Sequence, residues 1–315
     1  MALILACAAL LVACGGSSGG SGGTGGSSIP GGSGDPNSGE STTSGPAYAV
    51  PGSVALVAFN EGAAQTGNDC AIDTSQLAQG VVGASARSDA RLKFQVVKGE
   101  MSYNYDLPGD GTPIIVPINM GDGPYTFRVM QNTSGNNYVE LFSVIDNVNL
   151  SSETAPFLVP NMFVNYNESS AVVAKARELA QGAANQGDVV RNIYQWVVDN
   201  ITYDHDKAAQ LASATGYVPD PDATLASGTG ICFDYASLGA AMLRSLGIPC
   251  QVITGYVSPD DVYHAWNMVY IDGEWISVEI SIKPNSWTRV DLTFAASGAA
   301  STIGDGTSYT DRYTY

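Results

Sequence analysis

The chain has 315 residues with 13 Lys and Arg against 30 Asp and Glu, a formal charge of -17, and only 14% charged residues. An acidic chain without a basic run has no electrostatic footprint for phosphates, which argues against a nucleic-acid partner. Two histidines and five cysteines are too few for an ordinary multi-ligand zinc cluster, so neither a metal nor another cofactor is expected.

Residues 2–13 are almost wholly apolar. Spanning a bilayer takes about 20 such residues, so this run is too short for a membrane helix and fits the hydrophobic stretch of a secretory signal. Leu11-Val12-Ala13-Cys14-Gly15 resembles the lipobox of bacterial lipoproteins, although no Lys or Arg precedes Cys14. The resemblance implies cleavage before Cys14 and a diacylglyceryl group on its sulfur, and two acyl chains suffice for durable anchoring. The expectation is an extracytoplasmic protein, lipid-anchored to the bacterial cell surface, with residues 1–14 as its signal peptide. Residues 15–46 contain 13 Gly and 9 Ser and no apolar periodicity. Such a segment cannot offset its ordering entropy and reads as a disordered tether with an r.m.s. span of ~30 Å.

Residues 47–165 read as β-structure. Leu92–Val97, Tyr103–Leu107, Pro113–Ile118, Tyr125–Met130 and Tyr138–Val144 are short and rich in β-branched and aromatic residues. Gly109-Asp-Gly111, Gly121-Asp-Gly123 and Ser134-Gly-Asn136 supply hairpin turn chemistry between them. The spacing predicts a small sandwich-like domain without a reactive constellation.

From residue 166 to 315 the pattern is α+β. Ser169-Ser170 can cap a helix through Val172, Val173, Ala176 and Leu179. A second helix follows Asp188, with Val189, Ile193, Trp196 and Val197 on one face. A looser stretch leads to Gly228-Thr-Gly230, then a helical run from Cys232 to Leu246 is closed by Gly247 and Pro249. Strands are predicted at Gln251–Tyr256, Val262–Ile271, Glu274–Ile282 and Trp287–Phe294. With Cys14 assigned to the anchor and Cys7 to the signal, Cys70, Cys232 and Cys250 remain. A Cys70–Cys250 disulfide and three free thiols are both compatible with the sequence.

Gly230-Ile-Cys232-Phe-Asp-Tyr-Ala236 carries the strongest chemical signal. Unpaired N–H groups and the positive dipole end at a helix start favour a thiolate, whereas a lone buried cysteine is more often an inert small hydrophobe. His264, in Val262-Tyr-His-Ala-Trp-Asn-Met268, is the leading partner for Cys232, because His205 in Asp204-His-Asp206 reads as a solvated helix-end residue. On a strand His264, Trp266, Met268 and Tyr270 share one face. Two carboxylates compete to orient the imidazole. A two-residue turn at Asp272-Gly273 would place Glu279 opposite Trp266 and diagonal to His264; Asp291 lies on the following strand, and its facing depends on one residue of register. Asp234 sits in the first helical turn, where acids are common for dipole reasons alone.

Several stretches together resemble the transglutaminase-like superfamily of papain-fold thiol enzymes. They are Asn192-Ile-Tyr-Gln-Trp196, Asn200-Ile-Thr-Tyr203, Gly228-Thr-Gly-Ile-Cys232-Phe-Asp-Tyr-Ala236, Met242-Leu-Arg-Ser-Leu-Gly-Ile-Pro249, Gly255-Tyr256 and His264-Ala-Trp266. The resemblance implies helices packed on an antiparallel sheet, Cys232 as nucleophile, His264 as base and an acid on a later strand. That acid usually stands in a Trp-x-x-x-Asp-Pro-Thr pattern, which Trp287 to Thr293 matches except for Leu292. On this ground Asp291 is favoured over Glu279. The tail Ile303-Gly-Asp-Gly306 with Tyr309 and Tyr313 further resembles surface proteins of Gram-positive bacteria. The implied reaction is acyl transfer through a thioester on a peptide or protein substrate, cell-wall peptide included, by hydrolysis or by transamidation. A non-catalytic binding module on the same fold is the reading from another class.

Overall fold

A computed structural model describes residues 47–211, 214–257, 262–271, 277–278, 280–281, 286–290 and 309–315. The expected signal, Cys14 and the tether lie outside these residues, as do both candidate acids, Asp291 and Glu279.

The N-terminal part contains β1 (Gln65–Gly67), β2 (Cys70–Asp73), β3 (Val81–Ala86), β4 (Leu92–Lys98), β5 (Met101–Leu107), β6 (Ile114–Pro117), β7 (Gly123–Ser134) and β8 (Asn137–Val148). They form two four-stranded antiparallel sheets, ordered β1-β2-β3-β6 and β5-β4-β7-β8. Alternation puts Phe94 and Val96 of β4, Phe127 and Val129 of β7, and Val82 and Ala84 of β3 into one shared core. The five strands expected from the sequence are present. The three before them, β1 to β3, lie in a Gly- and Ala-rich stretch whose strand pattern is weak.

Next come α1 (Ala171–Leu179), α2 (Gln186–Asn200), β9 (Thr202–Tyr203), α3 (His205–Leu211), α4 (Pro221–Ser227), β10 (Thr229–Gly230) and α5 (Cys232–Ser245). They are followed by β11 (Cys250–Val257), β12 (Val262–Ile271), β13 (Ser277–Val278), β14 (Ile280–Ser281), β15 (Ser286–Val290) and β16 (Tyr309–Thr314). The chain is therefore mixed α+β. Every residue of α5 except Phe233 is buried. Val172 and Val173 of α1, Val189, Ile193 and Val197 of α2, and Val252, Ala265 and Val269 of the sheet share its core. Ala236, Gly239 and Ala240 keep the helix slim, which lets neighbours approach closely.

Caps explain several boundaries. Asn185 accepts from Asp188 N at 3.0 Å, and Asp188 accepts from Ala184 N at 3.0 Å, two bonds that start α2 three residues earlier than its apolar face suggests. Ser170 precedes α1 but its side chain caps nothing; Asp222 of α4 accepts from Val172 N at 2.8 Å instead. Helix α4 was not expected, although its Asp220 cap, Pro221 and left-handed Gly228 are ordinary boundary chemistry.

The C-terminal sheet has the order β15-β12-β11-β16, with all pairs antiparallel. The strand beside β12 is β15, in the register Asn267↔Val290. Ser277–Val278 and Ile280–Ser281 pair with each other as β13 and β14.

Aromatic rings join the two parts. Tyr105 of β5 lies 6.0 Å from Phe163, Phe163 is 4.6 Å from Tyr315, and Phe163 is 5.5 Å from Phe233. Beneath them the fully buried Arg244 donates to Cys250 O at 2.8 Å, Val159 O at 3.0 Å and Tyr315 O at 2.8 Å. One guanidinium thus satisfies carbonyls from the sheet, the segment entering the helices and the residue after β16. Arg244→Met should cost about 3 kcal/mol or more, because three carbonyls lose a charged donor in a site closed to water. Urea unfolding of the two chains checks this, and an unchanged midpoint would remove the role assigned to Arg244.

Candidate active site

Cys232 is the first residue of α5, directly after Ile231. The entry is narrow. A Cβ on Gly230 would come within 2.7 Å of Asp234 Cβ, so only glycine fits there without displacement. Parallel pairing of β10 with β9 fixes the approach, supported by bonds from Thr202 N to Gly228 O at 2.8 Å and Asp204 N to Gly230 O at 2.9 Å.

The helix start lacks a side-chain cap from Ile231, and Asp234 compensates by accepting from Ile231 N at 2.8 Å. Asp234 is fully buried and holds two more partners. Lys207 Nζ of α3 lies 2.6 Å from its Oδ2, and the Tyr217 hydroxyl donates to its Oδ1. Lys207 also stands 4.8 Å from the centre of the Tyr217 ring. Burial and the adjoining carboxylate push the Tyr217 phenol well above its ordinary range. The burial of Asp234 goes beyond what a solvated first-turn acid requires. Sequence reading missed Lys207 and Tyr217, whose signal is faint: one basic residue in an acidic stretch and one tyrosine in a loop.

His264 lies on β12, opposite Gly255 of β11. Alternation turns Ala265, Val269 and Ile271 into the core shared with Cys232, and the Asn267 amide donates to Ala236 O at 2.9 Å. His264 falls on the reverse face with Trp266 and Met268, as expected; its ring lies 6.4 Å from that of Trp266 at 21°. At the other end of α5, Arg244 reaches the start of β11. The tip of α5 therefore points toward the N-terminal half of β12, where His264 stands. The fold brings the Cys232 tip and the His264 strand to one end of the helix–sheet contact, while the imidazole springs from the face that α5 does not cover. Both residues are 5% exposed.

Cys70, Cys232 and Cys250 are free and buried, so of the two compatible thiol arrangements the free one is found. Cys70 belongs to the core of the two N-terminal sheets and Cys250 to the core around α5. Burial pushes the Cys250 thiol up to about 12.

The profile of the transglutaminase-like superfamily matches residues 173–280, which run from α1 to β14. This part of the chain is similar to the transglutaminase-like superfamily. Cytokinesis protein 3 of Schizosaccharomyces pombe is 33% identical over 120 residues, 34% of this chain and 12% of that protein. Mouse kyphoscoliosis peptidase is 31% identical over 112 residues, 32% of this chain and 16% of that protein. The chain thus spans a small share of either relative. Red sea bream transglutaminase superposes with a TM-score of 0.26 at 13% identity, over 68% of this chain and 48% of that one, too loosely to carry an argument.

The raised Cys250 pKa has a signed consequence. The native state holds this proton more tightly than the unfolded chain, so its contribution is complete below about pH 9 and fades as pH rises toward about 12. Melting temperatures from pH 8 to 11 should fall more steeply for the wild type than for Cys250→Ala; parallel curves would refute the assignment.

Proposed function

We propose that the chain is an extracytoplasmic thiol acyl-transfer enzyme, held to the membrane through a lipid on Cys14. In this reading Cys232 attacks an amide or isopeptide carbonyl, His264 moves the proton to the leaving amine, and Asp291 orients the imidazole. Water or a second amine then resolves the thioester. The observation that carries the reading is a cysteine at the first position of a buried helix whose tip points toward the strand bearing His264. The peptidase name of one relative favours hydrolysis over cross-linking. Substrates in this reading are peptides or proteins of the cell surface, cell-wall peptide among them, and the Cys232 N–H is a candidate donor to the developing oxyanion.

His264→Ala should lower the rate by roughly 100-fold or more, in the range of a lost general base. Cys232→Ala should abolish turnover of envelope material followed by mass spectrometry. Alkylation at pH 6, read peptide by peptide, should mark Cys232 and spare Cys250; no label on Cys232 would leave a binding module in place of an enzyme. Release of product without uptake of a labelled amine into a glutamine peptide separates hydrolysis from transamidation. Asp291→Asn is expected to lose more activity than Glu279→Gln, and a wild-type rate in Asp291→Asn rejects Asp291 as the acid.

A further inference from the structure

Two residues after the proposed nucleophile, a carboxylate is enclosed by protein with no access to water. Such a charge is costly unless paired and hydrogen-bonded. Asp234 has three donors from three places: Ile231 N at the helix start, Lys207 Nζ from α3 and the Tyr217 hydroxyl from the loop before α4. Each partner is itself held. The Asp204 side chain accepts from Lys207 N at 2.9 Å, and Asp204 N donates to Gly230 O in the loop that leads into Cys232. On the other side, Gly216 has φ +79 and a Cβ there would lie 2.7 Å from Asp106 Oδ2, so the Tyr217 loop is wedged against β5. The cluster therefore joins α3, the loop after it and the N-terminal sheets to the tip of α5.

We propose that Lys207 and Tyr217 are positioning residues for Cys232, acting through Asp234: the lysine cancels the buried carboxylate that holds the start of the same helix, and the tyrosine fixes that carboxylate's orientation. This rests on the thiol-nucleophile reading and deepens it. A thiolate forming close to an uncancelled carboxylate is opposed by like charge in a medium that screens poorly, whereas a carboxylate paired with an ammonium presents a dipole of small net effect. Other titratable groups stand on the elements packed around α5 or on α5 itself: Asp204 and His205 at the start of α3, Asp220 just before α4, Tyr235 on α5, and Tyr263 and His264 on β12. Changing Lys207 or Asp234 alters one charge of the pair at a time.

The experiment is the pH dependence of Cys232 alkylation in the full chain, read on the Cys232 peptide from pH 5 to 9. Lys207→Met leaves the carboxylate uncancelled and should move the midpoint up by about one pH unit. Asp234→Asn leaves the ammonium uncancelled and should move it down by a similar amount, while keeping an oxygen that can accept from Ile231 N. Lys207→Arg restores the charge and should return the profile to within ~0.3 unit of wild type. Tyr217→Phe should broaden the response less than threefold in rate, since its ring remains over the lysine. Shifts of opposite sign are the signature, because a purely structural role would move both variants alike or neither. If Lys207→Met does not fold, the downward shift in Asp234→Asn decides the matter alone. A reactive Cys232 whose midpoint stays put in Asp234→Asn overturns this inference alone; an inert Cys232 in the wild-type chain overturns the thiol reading and this inference with it.

Discussion

A helix buried along its length has no water with which to satisfy its ends, and α5 is such a helix. Its N–H groups at one end and its surroundings at the other must be answered by protein atoms. Asp234 answers at the start, taking the Ile231 N–H that no side chain of Ile231 can serve. Arg244 answers near the finish, where its guanidinium faces three carbonyls from separate stretches of chain. Both solutions bring a charge indoors, and the two are unequal. The carboxylate has a cation as partner, whereas the guanidinium bonds main-chain oxygens, and burial pulls Arg244 down to about 10. The rest of the domain is organised by these two ends: the short strands before the cysteine, the tyrosine loop, the sheet and the last residue of the chain all converge on one or the other.

Much of this arrangement was legible in the sequence because it rests on local signals. The α5 span follows from Gly230 before it and Gly247-Ile-Pro249 after it, and the β4, β5, β7 and β8 strands follow from alternation and turn residues. Cys232 and His264 stood out because the chain has so few cysteines and histidines. What remained hidden depends on distant partners. Nothing around Lys207 marks it as the partner of an acid 27 positions later. Likewise, Ser170 looks like a cap, yet the cap comes from Asp222, 50 positions from the residue it serves. The pairing of β12 with β15 joins segments about 20 residues apart, which no local turn signal marks.

Among the described residues, aromatic rings form much of the contact between the two halves of the chain. Tyr103 and Tyr105 on β5 face Tyr313, Tyr315 and Phe163, and Phe163 in turn faces Phe233, which follows the cysteine directly. Aromatic contacts of this kind add about 0.5–1.5 kcal/mol each beyond the area they bury. Residues 47–54, which precede the first strand, also dock on the helical part, with Tyr48 bonded to Leu246 O at 3.0 Å and Val54 N to Glu168 at 3.0 Å. The chain therefore crosses from the helices to the sheets and back before the helices begin, so the two parts are tied at both of their connections.

That double crossing bears on how the protein can be taken apart. A fragment starting at residue 166 would lack Phe163, Tyr103 and Tyr105 and would leave Phe233 and Tyr315 facing solvent next to the cysteine. Truncation to the helical part alone would thus uncover these rings, and the sheets are better viewed as a cover for the start of α5 than as a detachable accessory.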